Sequence, residues 1–177
     1  MALIRYVVLL AVLAVAGCEI VGSGPEPDYE NVALRVDDTA YVATYQRGEG
    51  AYSEYGFTLI ARFENQTGTS VYLETCGGAG WQPMYGVALI EPEDREGAGY
   101  NAVWACVGHN RPIEVRTGQV RIDTLRLDGP NSWQFGVPRG VMEGTFQLSY
   151  GVQTCREEAE CALPRVYSDV FTVHLEE

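Results

Sequence analysis

Eight consecutive residues, 57–64, constrain this chain more than any other stretch. Phe57, Leu59, Ala61 and Phe63 alternate with Thr58, Ile60, Arg62 and Glu64. A period of two places alternate side chains on opposite faces of a strand, one apolar and one turned to water. The same period returns in Val32, Leu34 and Val36, in residues 40–45, and in Tyr85, Val87 and Leu89. It returns again in residues 100–107, with Trp104 and Cys106 on one face, and in Ile113 and Val115. Val120 and Ile122 open a run to Leu127; Phe146, Leu148 and Tyr150 form another, and Phe171, Val173 and Leu175 the last. Turn-forming residues separate the runs: Asp37-Asp38, residues 46–50, Cys76-Gly77-Gly78, residues 91–99, Thr117-Gly118 and residues 128–140. Asn65-Gln66-Thr67-Gly68, with Val71 and Leu73 after it, predicts a β-hairpin. Eight or nine strands at this spacing predict an all-β, antiparallel sandwich.

Residues 1–17 differ in kind. Arg5 precedes an apolar run from Tyr6 to Ala16, and small residues lead into Cys18. This is the order of a secretory signal helix, with a charged tip, an apolar middle and a small-residue end. A transmembrane span needs roughly 20 apolar residues; this run is shorter and Glu19 follows directly. Val15-Ala16-Gly17-Cys18 resembles the lipobox of bacterial lipoproteins. The resemblance implies cleavage before Cys18 and fatty acylation, palmitate included, of Cys18. A plain secretory signal with an incidental Cys18 is the alternative. Two or more acyl chains hold a protein stably on a bilayer, so the resemblance implies a cell-envelope protein anchored to a membrane without crossing it. Residues 18–30 contain Gly22, Gly24, Pro25 and Pro27 among acidic residues. They read as a tether spanning roughly 20 Å, which leaves residues 31–177 as one β domain.

Cys76, Cys106, Cys155 and Cys161 follow Cys18. An even set in an exported chain points to disulfides. Of the three pairings, Cys155–Cys161 would close a short acidic loop and Cys76–Cys106 would tie two strands. Loop entropy gives these bonds roughly 2–3 and 3–4 kcal/mol. The formal net charge is −12 and every cation is Arg. That surface repels nucleic acid, whose binding depends on neutralising phosphates, and opposes docking on anionic headgroups.

Three features of residues 57–150 resemble bacterial Ig-like domains, including those similar to the BsuPI-type proteinase inhibitor. They are Asn-x-Thr-Gly with an apolar strand after it (Asn65 to Leu73), a turn glycine before an alternating strand (Gly118 to Leu127), and Gly-x-Phe-x-Leu (Gly144 to Leu148). The resemblance covers about half the chain. It implies an Ig-like sandwich and raises inhibition of a protease as an activity, which would need an exposed, rigid loop; residues 128–140 are the only candidate long enough.

No Gly-x-Ser-x-Gly elbow is present, and His109 and His174 have no partner pattern. Cys106-Val107-Gly108-His109 has a spacing metals use, but no second ligand pair lies nearby, and a disulfide is the preferred reading of Cys106. The acidic runs Glu91-Glu93-Asp94-Glu96 and Glu157-Glu158-Glu160 lack the alternating ligands and glycine of a calcium loop. Asn65-Gln66-Thr67 fits a glycosylation acceptor but reads as a turn. No catalytic, metal or cofactor set is expected. The functional lead is aromatic. Trp81, Tyr85, Trp133 and Phe135 lie in or beside Gly/Pro-rich loops, where rings stack on sugars or anchor proteins. The alternative is that they cap the core, which is favoured for Trp81. The expectation is therefore a non-catalytic lipoprotein whose β domain binds an envelope protein or glycan, or serves as a structural module. A proteinase inhibitor and a carboxylate-dependent hydrolase are the alternatives.

Overall fold

The computed structural model describes residues 31–46, 55–75, 83–92, 97–102, 112–130, 140–153 and 164–176. All their regular elements are strands: β1 (Val32–Val36), β2 (Ala40–Tyr45), β3 (Tyr55–Asn65), β4 (Val71–Leu73), β5 (Gly86–Glu91), β6 (Asn101–Ala102), β7 (Ile113–Val115), β8 (Val120–Gly129), β9 (Gly144–Gln153), β10 (Arg165–Tyr167) and β11 (Phe171–Leu175). The all-β expectation is met.

Two long strands act as spines. β8 pairs antiparallel with β3 along its length, from Tyr55↔Gly129 to Glu64↔Val120. The other edge of β3 is shared. β1 covers its far half, from Val36↔Ala61 to Val32↔Asn65, and β2 covers only Gly56 and Tyr55. Past the bend at Asp37-Asp38, β2 runs parallel to β11. β9 is the second spine. β10 and β11 lie in series on one edge, β4 and β5 on the other. β6 borders β8 and β7 borders β4. Eleven strands appear among the described residues, where eight or nine were expected. Of the strands that border β9, β10 is the one without a sequence signal, because its three residues are too few to show a period.

The sheet curls so that its apolar faces meet. Phe57 of β3 lies 5.3 Å from the Tyr41 ring, 5.0 Å from Tyr100 and 6.3 Å from Phe171 of β11. Phe146 of β9 lies 5.7 Å from Tyr100 and 6.2 Å from Phe171. Phe63 and Tyr85 meet Tyr150 at 6.4 and 5.1 Å. Edge-on and offset ring pairs add about 0.5–1.5 kcal/mol each beyond area burial, so the aromatics join distant strands more firmly than aliphatics of equal area.

The predicted hairpin at Asn65 is corrected. β3 and β4 do not pair; β4 lies between β7 and β9. Asn65 explains the change of direction. Its side chain is fully buried, and Nδ2 donates to Thr69 O at 2.9 Å and Val115 O at 2.8 Å. Its Oδ1 accepts from Thr67 N at 3.0 Å and Thr67 Oγ1 at 2.7 Å. The Asn-x-Thr run is therefore a turn that pins β3 to β7, not an exposed acceptor. Beside it the Asn65 main chain joins the β7–β8 turn, donating to Gln119 O at 3.1 Å and accepting from Gly118 N at 2.6 Å. Gly118 has a φ of 73°, a conformation that suits a residue without Cβ.

The phase of β8 also differs from the reading that starts from its apolar residues. Val120 and Ile122 are 39% and 61% exposed, whereas Asp123, Leu125 and Leu127 are buried. The inward face opens with an ion pair, Arg121–Asp123 at 2.5 Å, and only then becomes apolar.

Candidate functional site

Three connections start and finish at the end of the sheet marked by Tyr55. Tyr55 pairs with Gly129 and Asp128 with Asn101. Gly99 N donates to Val141 O at 2.7 Å, and Val141 N to Gly97 O at 3.0 Å. The flanks of 47–54, 93–96 and 131–139 are thus gathered at one end. Tyr45 is 60% exposed there, with its ring edge-on to Tyr55 at 5.6 Å. Beneath them Tyr100 donates through its hydroxyl to Met142 O at 2.9 Å. Burial, helped by the charge of Glu143, pushes the Tyr100 pKa above the usual tyrosine range.

Beside this end, β2 and β3 part. Thr44↔Gly56 and Tyr45↔Tyr55 are paired, but the next two positions, Ala43 opposite Phe57 and Val42 opposite Thr58, are not. β2 has turned toward β11, where Val42 sits opposite His174. The divergence leaves a cleft of about 300 Å³ lined by Tyr41, Val42, Thr44, Gln46, Thr58 and Arg126, with Gly56 and Phe57 in its floor. Arg126 Nε donates to Asp128 Oδ1 at 3.1 Å, and its Nη2 contacts Gln46 Oε1. A Cβ on Gly56 would overlap Asp128 Oδ1 and Gln46 Nε2, so glycine lets both side chains fold over the strand. Thr44 Oγ1 reaches Gly56 O at 3.4 Å.

None of these residues stood out in the sequence. The one available signal was the outward set of the alternating strands, since Thr58 and Arg126 are cross-strand partners. Arg126-x-Asp128 shares a pattern with Arg62-x-Glu64 and Arg121-x-Asp123, in which carboxylate and guanidinium two residues apart share one face and pair.

Tyr85 is a correction. It is 2% exposed, so its ring faces the core rather than a partner. Its hydroxyl donates to Asp123 Oδ2 at 3.0 Å, and Arg121 holds the same carboxylate through Nε at 2.8 Å and Nη2 at 2.5 Å. Burial, then the Asp123 charge, raises the Tyr85 pKa far above the usual range. The apolar ring and polar tip let this residue join β5 to the inward carboxylate of β8. Tyr150 behaves similarly, donating to Glu74 O at 2.6 Å.

Trp81, Trp133, Phe135, Cys18, Cys76, Cys106, Cys155, Cys161 and His109 lie outside the described residues. The flanks do locate their segments. Residues 76–82 leave and return at the Thr75–Pro83 bridge, while 131–139 leave from Pro130 at the Tyr55 end. Tyr85 contacts Asp123, six residues from Gly129 along β8, or about 20 Å of strand. The segments that carry Trp81 and Trp133 therefore start from separate places. Among the described residues, no three His, Cys, Asp or Glu are grouped to hold a metal.

No protein-family model and no curated protein matches the chain. Among solved structures it is similar to the CooA pilin subunit from enterotoxigenic Escherichia coli, at 10% identity over 83% of this chain and 99% of that one. The TM-score is 0.27, and a likeness of that size carries no inference.

Proposed function

We propose that this chain is an envelope lipoprotein, acylated on Cys18, whose Ig-like sandwich binds a partner rather than catalysing a reaction. The observation that carries the binding part is the gathering of three connections, with exposed Tyr45, at one end of the sheet. Connections held on a rigid β scaffold are where such domains place recognition. The Ig-like reading is supported by strand order. β1, β3, β8 and β6 form one run, β11, β9 and β4 another, and β2 passes from the first to the second. An Ig-like domain groups its strands in the same way, ABED and CFG. The anchor rests on Val15-Ala16-Gly17-Cys18.

The disulfides belong to the same proposal. Leu73 pairs with Ile113, so residues 76–82 and 103–111 border neighbouring strands, which favours Cys76–Cys106. Val152 N donates to Pro164 O at 3.0 Å, closing the base of 154–163, which favours Cys155–Cys161.

The anchor is tested by acyl labelling of the wild type and Cys18→Ser in the native host. Label is expected only in the wild type, and label retained by Cys18→Ser would end the lipoprotein reading. The binding role is tested by cross-linking the intact lipoprotein in its envelope. A discrete adduct that Tyr45→Ala diminishes is the expected result. An adduct unchanged by Tyr45→Ala, or no adduct, would remove that end of the sheet as the recognition surface.

A further inference from the structure

We infer that the cleft between β2 and β3 is a binding site for a small, uncharged saccharide. The inference rests on the binding-module reading above but concerns a different surface, beside the connections rather than on them. Three properties of the cleft select this chemistry.

The first is charge. Arg126 is the one ionised group in the lining, and its guanidinium is held by Asp128 at 3.1 Å. The Asp128 side chain is only 11% exposed, so it neutralises Arg126 from beneath and presents little of itself to a ligand. A paired cation attracts neither phosphate nor carboxylate strongly, and the lining offers a cationic ligand no carboxylate.

The second is hydrogen-bonding density. Guanidinium carries five N–H donors and carboxamide two, while hydroxyls both donate and accept. One Arg126 N–H goes to Asp128 and one nitrogen to Gln46, which leaves donors on Arg126 and on Gln46 Nε2. The Thr44 and Thr58 hydroxyls lie beside them. The register adds main-chain groups. Ile60, two residues on, directs its N–H to Asp37 Oδ1 at 2.8 Å and its C=O to Asp37 N at 3.1 Å, away from β8. Successive main-chain groups of a strand alternate between its two edges, so Thr58 turns its own N–H and C=O the same way, into the gap that β2 leaves. Such closely spaced donors and acceptors match vicinal hydroxyls.

The third is shape. The volume, about 300 Å³, is at the lower limit of small-molecule sites. Val42, 58% exposed, supplies an apolar wall for the C–H face of a sugar ring. The residues described as lining this cleft form no deep apolar pocket for the side-chain anchor a protein partner would need. Because Gln46, Arg126 and Asp128 already hold one another, little side-chain freedom is lost on binding.

The test is saturation-transfer NMR on the acylated full-length chain in a zwitterionic detergent, which brings no sugar of its own. The probes are maltose, cellobiose and N,N′-diacetylchitobiose, with a glucuronate-containing disaccharide as the charged control. Transfer to at least one neutral probe is expected. Affinity should fall about tenfold or more in Arg126→Ala and Gln46→Ala, and stay unchanged in Ile122→Ser, which alters an exposed residue of β8 outside the cleft. Two cleft variants are used so that a folding defect in one does not decide the matter. No transfer to any neutral probe, transfer unaffected by both cleft variants, or preference for the glucuronate probe would overturn the proposal. Any of these leaves the anchor and the Tyr45 surface to be judged by acylation and cross-linking.

Discussion

Replacing Asn65 tests whether its side chain, rather than a hairpin, sets the path of the chain after β3. Its four hydrogen bonds, two given and two received, are made by a fully buried group. At about 0.5–1.5 kcal/mol net for each bond, Asn65→Ala should cost about 2–6 kcal/mol. Against a total stability of about 5–15 kcal/mol, that is a large share. With a urea slope of about 2–3 kcal/mol/M, a loss of ~3 kcal/mol lowers the unfolding midpoint by about 1–1.5 M. Asn65→Asp has the same shape but turns an oxygen toward Thr69 O and Val115 O, where donors stood. Burial and the facing carbonyls favour its protonated form, so its folded-state pKa should be raised. The sign follows: the ionisation penalty is absent below the unfolded pKa of about 3.9 and grows as pH rises toward the folded value. Urea unfolding monitored by tyrosine and tryptophan fluorescence, at pH 7 and near pH 4, measures both variants. A loss under about 0.5 kcal/mol for Asn65→Ala, or an Asn65→Asp penalty independent of pH, would refute the argument.

Other consequences are as direct. Asp37 is pushed up by burial, but hydrogen bonds from Tyr41 and from the Ile60 and Asp37 N–H groups outweigh this and hold it below 3.8. Its contribution should be present above that value and fade as pH falls through the folded pKa, so wild type and Asp37→Asn should converge in stability in acid; a constant gap would contradict this. Asp123→Ala strips the Tyr85 hydroxyl and Arg121 of a shared partner and should cost about 1–3 kcal/mol. Tyr85→Phe in that background should cost much less than in the wild type, and additivity in the double-mutant cycle would show that the groups are not coupled. Gly144 has a φ of 148°, and a Cβ there would overlap Glu91 O, so Gly144→Ala should lower the melting temperature, while Gly68→Ala, where the space is open, should not. Non-reducing peptide mapping should recover Cys76–Cys106 and Cys155–Cys161, and a Cys76–Cys155 peptide would exclude that pairing.

Strand character was legible because alternation is local. Which face turns inward depends only on neighbours two residues away, and Phe57 to Phe63, Phe146 to Tyr150 and Phe171 to Leu175 declare it. The anchor reading at Cys18 likewise comes from adjacent residues alone. Pairing was decided elsewhere. Nothing within 65–73 reveals that β4 lies against β7 and β9, because that contact is made by Leu73 with Val152 and Ile113, tens of residues away. Tyr85 looked like a loop aromatic because its partner, the inward carboxylate of Asp123, is 38 residues distant. Alternation also misleads where a buried ion pair interrupts the apolar face. Arg121 and Asp123 turn inward because they hold each other and Tyr85, and Val120 and Ile122 are left outside. The cleft is furthest from the sequence. It exists because β2 follows β11 through Ala43 and β3 only at Thr44 and Tyr45, a choice between two strands that only the closed fold presents.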